Sequence, residues 1–441
     1  MTARAQTPVS KTLITLAVVV LYIVARKIPL PSITASAEAP YLPHSVESIM
    51  ALGYQPLLTG YVLVECAALL VPKWRPLRAG SQAGRAQLHR ASLIIGMIVA
   101  LVQALFLALA FQKRGAGLSP AATAGTVITL LGATAALIVL TWFADRDGLG
   151  SGFSALILAA AILGISSPIG NALTAVQFGA IPFSALFTEV LGLAALVIMT
   201  LFLFSPYCLP NTSPDALMIS RPACGVTPLT AIPQILALGA LVSKQIQPGW
   251  ATAHKVFTSS SGSFFACVIS AFVFAFLFNR PERIAAAWNA FSPNPPEGVP
   301  RLKAVMLESF LFIALAIGVQ AGLVSQLGAR RAPNAANVIF ATAIICDFIR
   351  EWRARQANAH LTFIWEIHQT YAVVPAMRLL ESQGLHPFAR GLHLRSLLQF
   401  FGPYVPIQIL VPGDEAQACH ALLQDRCPSP DTSHPDLDCG D

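Results

Sequence analysis

The chain has 441 residues, of which 55% are hydrophobic and 11% charged, with a formal net charge of +7. Together with a mean hydropathy of +0.65, this excludes an ordinary water-soluble globular enzyme, because lipid must be the solvent for most of such a chain. The eight cysteines form no C-x-x-C pair and read as ordinary thiols.

Ten apolar runs are predicted to be membrane-spanning helices: Thr12–Val24, Leu52–Leu70, Ser92–Phe111, Thr126–Phe143, Gly152–Ile165, Leu186–Phe204, Leu229–Val242, Ser263–Phe278, Val305–Leu323 and Ala335–Ile349. A span needs ~20 apolar residues, because lipid offers the backbone no hydrogen-bond partner. Several of these runs fall short of that, as tilted or protein-shielded helices do. The first run exits through Ala25-Arg26-Lys27-Ile28-Pro29 without a small-residue cleavage site, so it reads as a retained helix rather than a signal peptide.

Lys and Arg set the orientation. With the N-terminus inside, twenty of the 28 basic residues fall in inside segments and eight outside, so both termini are expected in the cytosol. The positive charge is a topology signal, and no nucleic-acid binding is read from it. Pro56 in the second run and Pro233 in the seventh are expected to break helices at matching places in two five-span halves. Matched interruptions are the mark of an inverted repeat with its pathway between the halves. Between the fourth and fifth runs, Gly148-Leu-Gly-Ser-Gly152 reads as a tight turn that needs glycine's backbone freedom.

Two buried-depth carboxylates stand out, Glu65 in the second run and Glu189 in the sixth. The first reads as an interior polar site; the second lies near an outer end, within reach of the headgroups. Asp347 closes the tenth run and is expected to face the cytosol with Arg350.

Beyond about residue 355 the pattern changes. Thr362–Ile367 reads as a strand, Tyr371–Gln383 as an amphipathic helix closed by Gly384, Pro387–Leu392 and Val405–Val411 as two more strands, and Asp414–Gln424 as a second helix. This β-α-β-β-α order predicts a small α/β ferredoxin-like domain over 361–425, followed by a disordered tail at 426–441. His368, His386 and His393 lack metal-ligand spacing and read as solvated or turn histidines.

Four strings resemble the SecY family, the pore subunit of the bacterial Sec protein-conducting channel. Met50-Ala-Leu-Gly-Tyr-Gln-Pro-Leu-Leu-Thr-Gly60 resembles the family's second-span opening, and Gly80 to Arg90 (GSQAGRAQLHR) resembles its basic loop. Trp142-Phe-Ala-Asp-Arg-Asp-Gly-Leu-Gly-Ser-Gly-Phe-Ser154 is similar to the stretch between its fourth and fifth spans, and Arg280-Pro-Glu-Arg-Ile-Ala285 to that after its eighth. The resemblance implies an all-α polytopic fold over 1–355, ten transmembrane helices in two inverted five-helix halves. It also implies a waist of apolar side chains that seals by dewetting and yields around a passing chain. Carried over, that ring comprises Tyr54, Leu58, Ile157, Ala161, Ile235 and Phe340. The cytosolic docking residues would be Arg85, Arg90, Arg280, Arg283, Arg301 and Lys303.

The implied partners are a SecE-like subunit, SecA or a ribosome as driver, unfolded polypeptide as substrate, and lipid. No cofactor or metal is implied, and no enzyme is expected. The strings LLESQGLHPFARG and VPIQILVPGDEAQACHALL resemble a small bacterial domain family described as signal-transducing, of unknown function.

Three departures from the SecY pattern matter. Only Thr34–Glu47 lies where the family carries a plug helix. Ser205–Thr227, in place of a long basic docking loop, holds one basic residue, Arg221, and four prolines. The connection from the fourth to the fifth span is also shorter. The expected activity is polypeptide passage across, or laterally into, the cytoplasmic membrane. Its rivals are a non-translocating paralogue that regulates through the C-terminal domain, and a proton-coupled solute transporter using Glu65 or Glu189.

Overall fold

A computed structural model describes residues 7–31, 48–74, 77, 82–113, 119–204, 269, 273, 299–327, 332–358, 360–367, 370–398 and 407–426. Ile235, Arg280, Arg283, most of the plug-position segment, the 205–227 loop, His368 and the tail lie outside them, as does most of the seventh and eighth runs. The chain divides into two compact units. The first comprises Met1–Ala160, Arg350–His360 and Pro403–Val405; the second comprises Ala161–Ile349, Leu361–Gly402 and Pro406–Asp441.

The first unit is built on helices α1 (Pro8–Ala25), α2 (Gln55–Leu70), α3 (Gln82–Lys113) and α4 (Pro120–Asp147). It also holds the start of α5 (Gly152–Gln177) and the end of α8 (Ala335–Ala357). α1 and α4 begin alike. A hydroxyl on Thr7 or Ser119 accepts the backbone N–H three residues on, and a proline stands at the first helical position, where its missing N–H costs nothing. Pro56 follows the same rule. It sits in the first turn of α2, so it starts that helix rather than breaking it, contrary to the sequence reading.

The Gly80–Arg90 string, read as a loop, is helical from Gln82 onward and forms the base of α3. α2 and α3 cross with their backbones nearly touching. A Cβ on Gly60 would come within 2.5 Å of the Gly96 nitrogen, so only glycine permits this approach.

In the second unit α5 continues past the predicted end of its run, through Pro168 to Gln177. α6 (Phe183–Phe204) packs on α7 (Val299–Leu327), and Ala185, Leu323, Leu327 and Ala332 form a small apolar core. Among the described residues, helices thus occupy eight of the ten predicted runs. Five of them, α1, α3, α4, α5 and α6, are long and apolar enough to cross a membrane among the described residues. Their outward faces carry exposed Val20, Leu21, Ile94, Ile98, Leu191 and Ile198. Such a surface suits lipid rather than water.

Downstream of α8 comes an α/β module: β1 (Leu361–Ile367), α9 (Thr370–Ser382), β2 (Phe388–Arg390), α10 (Leu392–Leu397), β3 (Ile407–Pro412) and α11 (Ala416–Arg426). The strands lie in the order β1-β3-β2, with β3 antiparallel to both neighbours. Ile407, Ile409, Leu410 and Val411 of the central strand are buried, as are Val373, Ala376 and Leu380 of α9 and Leu423 of α11. The central strand is buried on both faces at Ile409–Val411, and amphipathic spacing puts the helix residues inside. The second strand is shorter than its apolar run suggested, because Gly391 takes a left-handed φ of 78° and turns the chain into α10, which the sequence reading missed.

Candidate functional site

In the first unit, Tyr54 and Leu58 stand one turn apart at the start of α2, and Ile157 one turn after Phe153 on α5. All four are buried. The rings organise the contact. Tyr54 meets Phe153 edge-on at 5.9 Å between centroids, and Tyr61, one turn beyond Leu58, lies 6.4 Å from the same ring. Edge-to-face packing of this kind adds to the stability that burial alone supplies. Tyr61 and Phe153 were not singled out in the sequence; their helical spacing from Leu58 and Ile157 is the signal that would have found them. In the second unit, Ala161 and Phe340 are likewise buried, on α5 and α8.

The most completely built polar feature is the turn between α4 and α5. Gly150 has a φ of 66°, a region that favours glycine. Three side chains hold its backbone. Thr15 Oγ1 accepts the Leu149 N–H at 2.7 Å and donates to the Leu149 carbonyl at 3.2 Å. The Gly150 N–H donates to Glu351 Oε2 at 2.7 Å, and the Gly152 N–H to Asp145 Oδ1 at 2.6 Å. Glu351 is 1% exposed, and its other oxygen accepts from Arg355 Nε at 2.8 Å. A buried carboxylate is tolerable when charge-assisted bonds satisfy it in this way. The tight turn read from the glycines is therefore present. Its anchors Thr15 and Glu351, more than a hundred residues away, carried no local signal.

Glu189 behaves oppositely. It is 1% exposed on α6, and neither carboxylate oxygen has a hydrogen-bond partner among the described residues.

Asp347 also departs from expectation. α8 runs on to Ala357, and Asp347 is buried rather than facing the cytosol. One carboxylate oxygen accepts from the His393 N–H at 3.1 Å and lies 2.7 Å from His393 Nδ1; the other accepts from the Leu394 N–H at 2.9 Å. His393, read as solvated, is buried, with its ring 4.4 Å from that of Phe204. By contrast, His386 is exposed and bonds Glu415 through both its backbone N–H and its ring, each at 2.7–2.8 Å. The His386 backbone bond, then the ring contact, hold the Glu415 carboxyl below its ordinary value.

Of the docking residues, Arg90 is exposed on α3; Arg85 lies on the same helix, and Arg301 and Lys303 lie in the first turns of α7. Among the described residues no cluster of His, Cys, Asp and Glu could hold a metal ion.

Comparison with known proteins bears on what these parts do. The SecY family model matches residues 48–297. A protein translocase subunit SecY from Micrococcus luteus is 28% identical over 134 residues, covering 28% of this chain and 30% of the relative. The corresponding subunit from Lactococcus lactis subsp. cremoris is 28% identical over 163 residues, covering 34% of this chain and 37% of the relative. The aligned stretches thus span about a third of those relatives' own length.

Among solved structures, a protein-conducting channel matches with a TM-score of 0.56 at 14% identity, and Sec61 from a canine ribosome–channel complex of the endoplasmic reticulum with 0.57 at 14%. Each match covers 82% of this chain and 95% of the solved one, a likeness of fold.

Proposed function

The chain belongs to the SecY family, and from that premise we propose that it is the pore subunit of a protein-conducting channel in a bacterial cytoplasmic membrane. It passes unfolded polypeptides across the bilayer or sideways into it, through ten spans arranged as two five-helix halves, with both termini in the cytosol. The family match over residues 48–297 carries this reading. It includes the α2 start, the α4–α5 turn and four of the six proposed waist residues, Tyr54, Leu58, Ile157 and Ala161, all buried. Ile235 and Phe340 complete the ring in this proposal.

No chemistry is required of such a pore. Apolar side chains at the waist exclude ions by dewetting and part around a chain of any sequence. A SecE-like subunit would brace the helices. SecA or a ribosome would dock through Arg85, Arg90, Arg280, Arg283, Arg301 and Lys303. The C-terminal module, whose strand order β1-β3-β2 is that of a ferredoxin-like sheet without its fourth strand, is taken as a cytosolic regulatory or docking domain. Replacing Leu58 and Ile157 together with Asn should raise the ion conductance of vesicles that contain the chain with its SecE-like partner. Unchanged conductance would remove these residues from the waist.

A second reading keeps the fold and discards transport. The short Thr34–Glu47 segment and the single basic residue in Ser205–Thr227 favour it, since both stand where the family seals and drives its pore. On that reading the chain is a paralogue that acts through its C-terminal module.

A further inference from the structure

α10 is six residues long, and its N-cap is Gly391, which has no side chain to accept a helical N–H. So short a helix is not stable by itself, and the first N–H groups of any helix have no partner within it. Here His393 and Leu394, at the second and third helical positions, give their N–H groups to Asp347, 46 and 47 residues earlier on α8. Asp347 thus supplies from another element the cap that α10 lacks.

The bond set is concentrated. Both carboxylate oxygens and the His393 ring are engaged, and that ring meets Phe204, the last residue of α6, edge-on. Elsewhere the module packs on itself: β1 and β3 on α11, and α9 on β1, β2, α10 and α11. No helix of the membrane-span set packs broadly on its sheet or on α9 or α11 among the described residues. Among the described residues the polar centre of the attachment is this one carboxylate.

We propose that Asp347 and the Gly391–Leu398 segment form a releasable latch between the last span and the C-terminal module, in which docking of the module and folding of α10 are one event. With the carboxylate in place α10 is helical and the module is held against the end of α6 and the middle of α8. Without it α10 loses its cap and its helical form, and the module is released from α8 while its sheet stays intact. α6 packs on α7, whose first turns carry Arg301 and Lys303, where a driver would dock in the proposed channel. A latched module then restrains that docking and a released one permits it. This consequence rests on the channel reading, whereas the latch itself does not.

The test is amide hydrogen exchange on the full chain in lipid nanodiscs, comparing wild type with Asp347→Ala. The His393 and Leu394 amides should exchange faster by about tenfold or more, the effect of losing one charge-assisted hydrogen bond. Ile407 and Ile409 in the β1–β3 ladder should keep their protection. His393→Ala, which spares the module's core and both amide bonds, should give a smaller rise confined to the same segment. Unchanged exchange at 393 and 394 would overturn the latch. So would an equal loss across the ladder, which would make Asp347 part of the module's own fold. Neither result depends on whether the chain conducts polypeptide.

Discussion

Two helix pairs, α2 with α3 and α6 with α7, share a design and differ in how they use it. Each carries a glycine at the crossing and one buried glutamate, Glu65 or Glu189. In the first pair, glycine faces glycine backbone: a Cβ on Gly60 would stand 2.5 Å from the Gly96 nitrogen. In the second, a Cβ on Gly192 would meet the Leu323 Cδ2 methyl at 3.1 Å, the movable end of a side chain. The glutamates differ too. Glu65 has an interaction partner, while both oxygens of Glu189 lack one among the described residues. The lesson is that the α2–α3 pair is locked by its own residues, whereas the α6–α7 pair retains slack and, among the described residues, a polar group without a partner.

Breaking the first pair should have the largest effect. Gly60→Val must force two backbones apart, and a loss of ~3 kcal/mol or more is expected from overpacking of this kind. It would be read as a collapse in the yield of folded, monodisperse protein in detergent. A normal yield would show that the crossing is looser than 2.5 Å implies. Gly192→Ala is the matching change in the other pair. Leu323 can rotate aside, so the unfolding midpoint should shift by less than ~1 kcal/mol.

The glutamates sharpen the contrast at intermediate size. Glu65→Leu removes one half of that interaction and should cost ~1–3 kcal/mol. Glu189→Leu removes a buried group with nothing to pair with among the described residues and should be neutral or stabilising. Steric-trap or thermal unfolding of both variants in one lipid environment would measure the difference. A strongly destabilised Glu189→Leu would mean that this carboxylate is engaged by an element outside the described residues. The solute-transporter reading makes its own demand: proton-coupled uptake lost on Glu65→Gln or Glu189→Gln.

The smallest effect belongs to His386 and Glu415, on the surface of the C-terminal module. A carboxyl held below its ordinary 4.5 stabilises the folded state fully above that value. That stabilisation is lost as the pH falls through the lowered folded value. The module's stability should therefore be flat in this respect from neutral pH to about 5 and decline below 4.5. His386→Ala keeps the backbone N–H, the larger cause, so the Glu415 carboxyl should move only part of the way back in a carbon-13 titration.

How far the sequence discloses this molecule follows the range of each interaction. Eight helices could be placed from apolar run length alone, and the strands and two longer helices of the module from their periodicity, since these are local properties. The glycine turn at 148–152 was legible because backbone conformation is local as well. Pro56 was misjudged, since a proline two residues from a helix start looks identical in sequence to one inside a longer apolar run. Thr15, Glu351 and Asp347 were missed or misplaced for a different reason: each acts on backbone 46 or more residues away, and nothing near it in the chain announces the partner. The burial of Glu189, read as near a span's outer end, was not legible, because burial depends on packing between elements rather than on position along one helix.

The most direct test of the channel is photocrosslinking from position 157, on the buried face of α5, to a stalled secretory polypeptide in the native host, with exposed position 198 on α6 as the lipid-facing control. A protein conduit predicts a specific adduct from 157 and none from 198. No adduct from 157, while the host's housekeeping channel gives one in parallel, would contradict it and leave the regulatory paralogue standing.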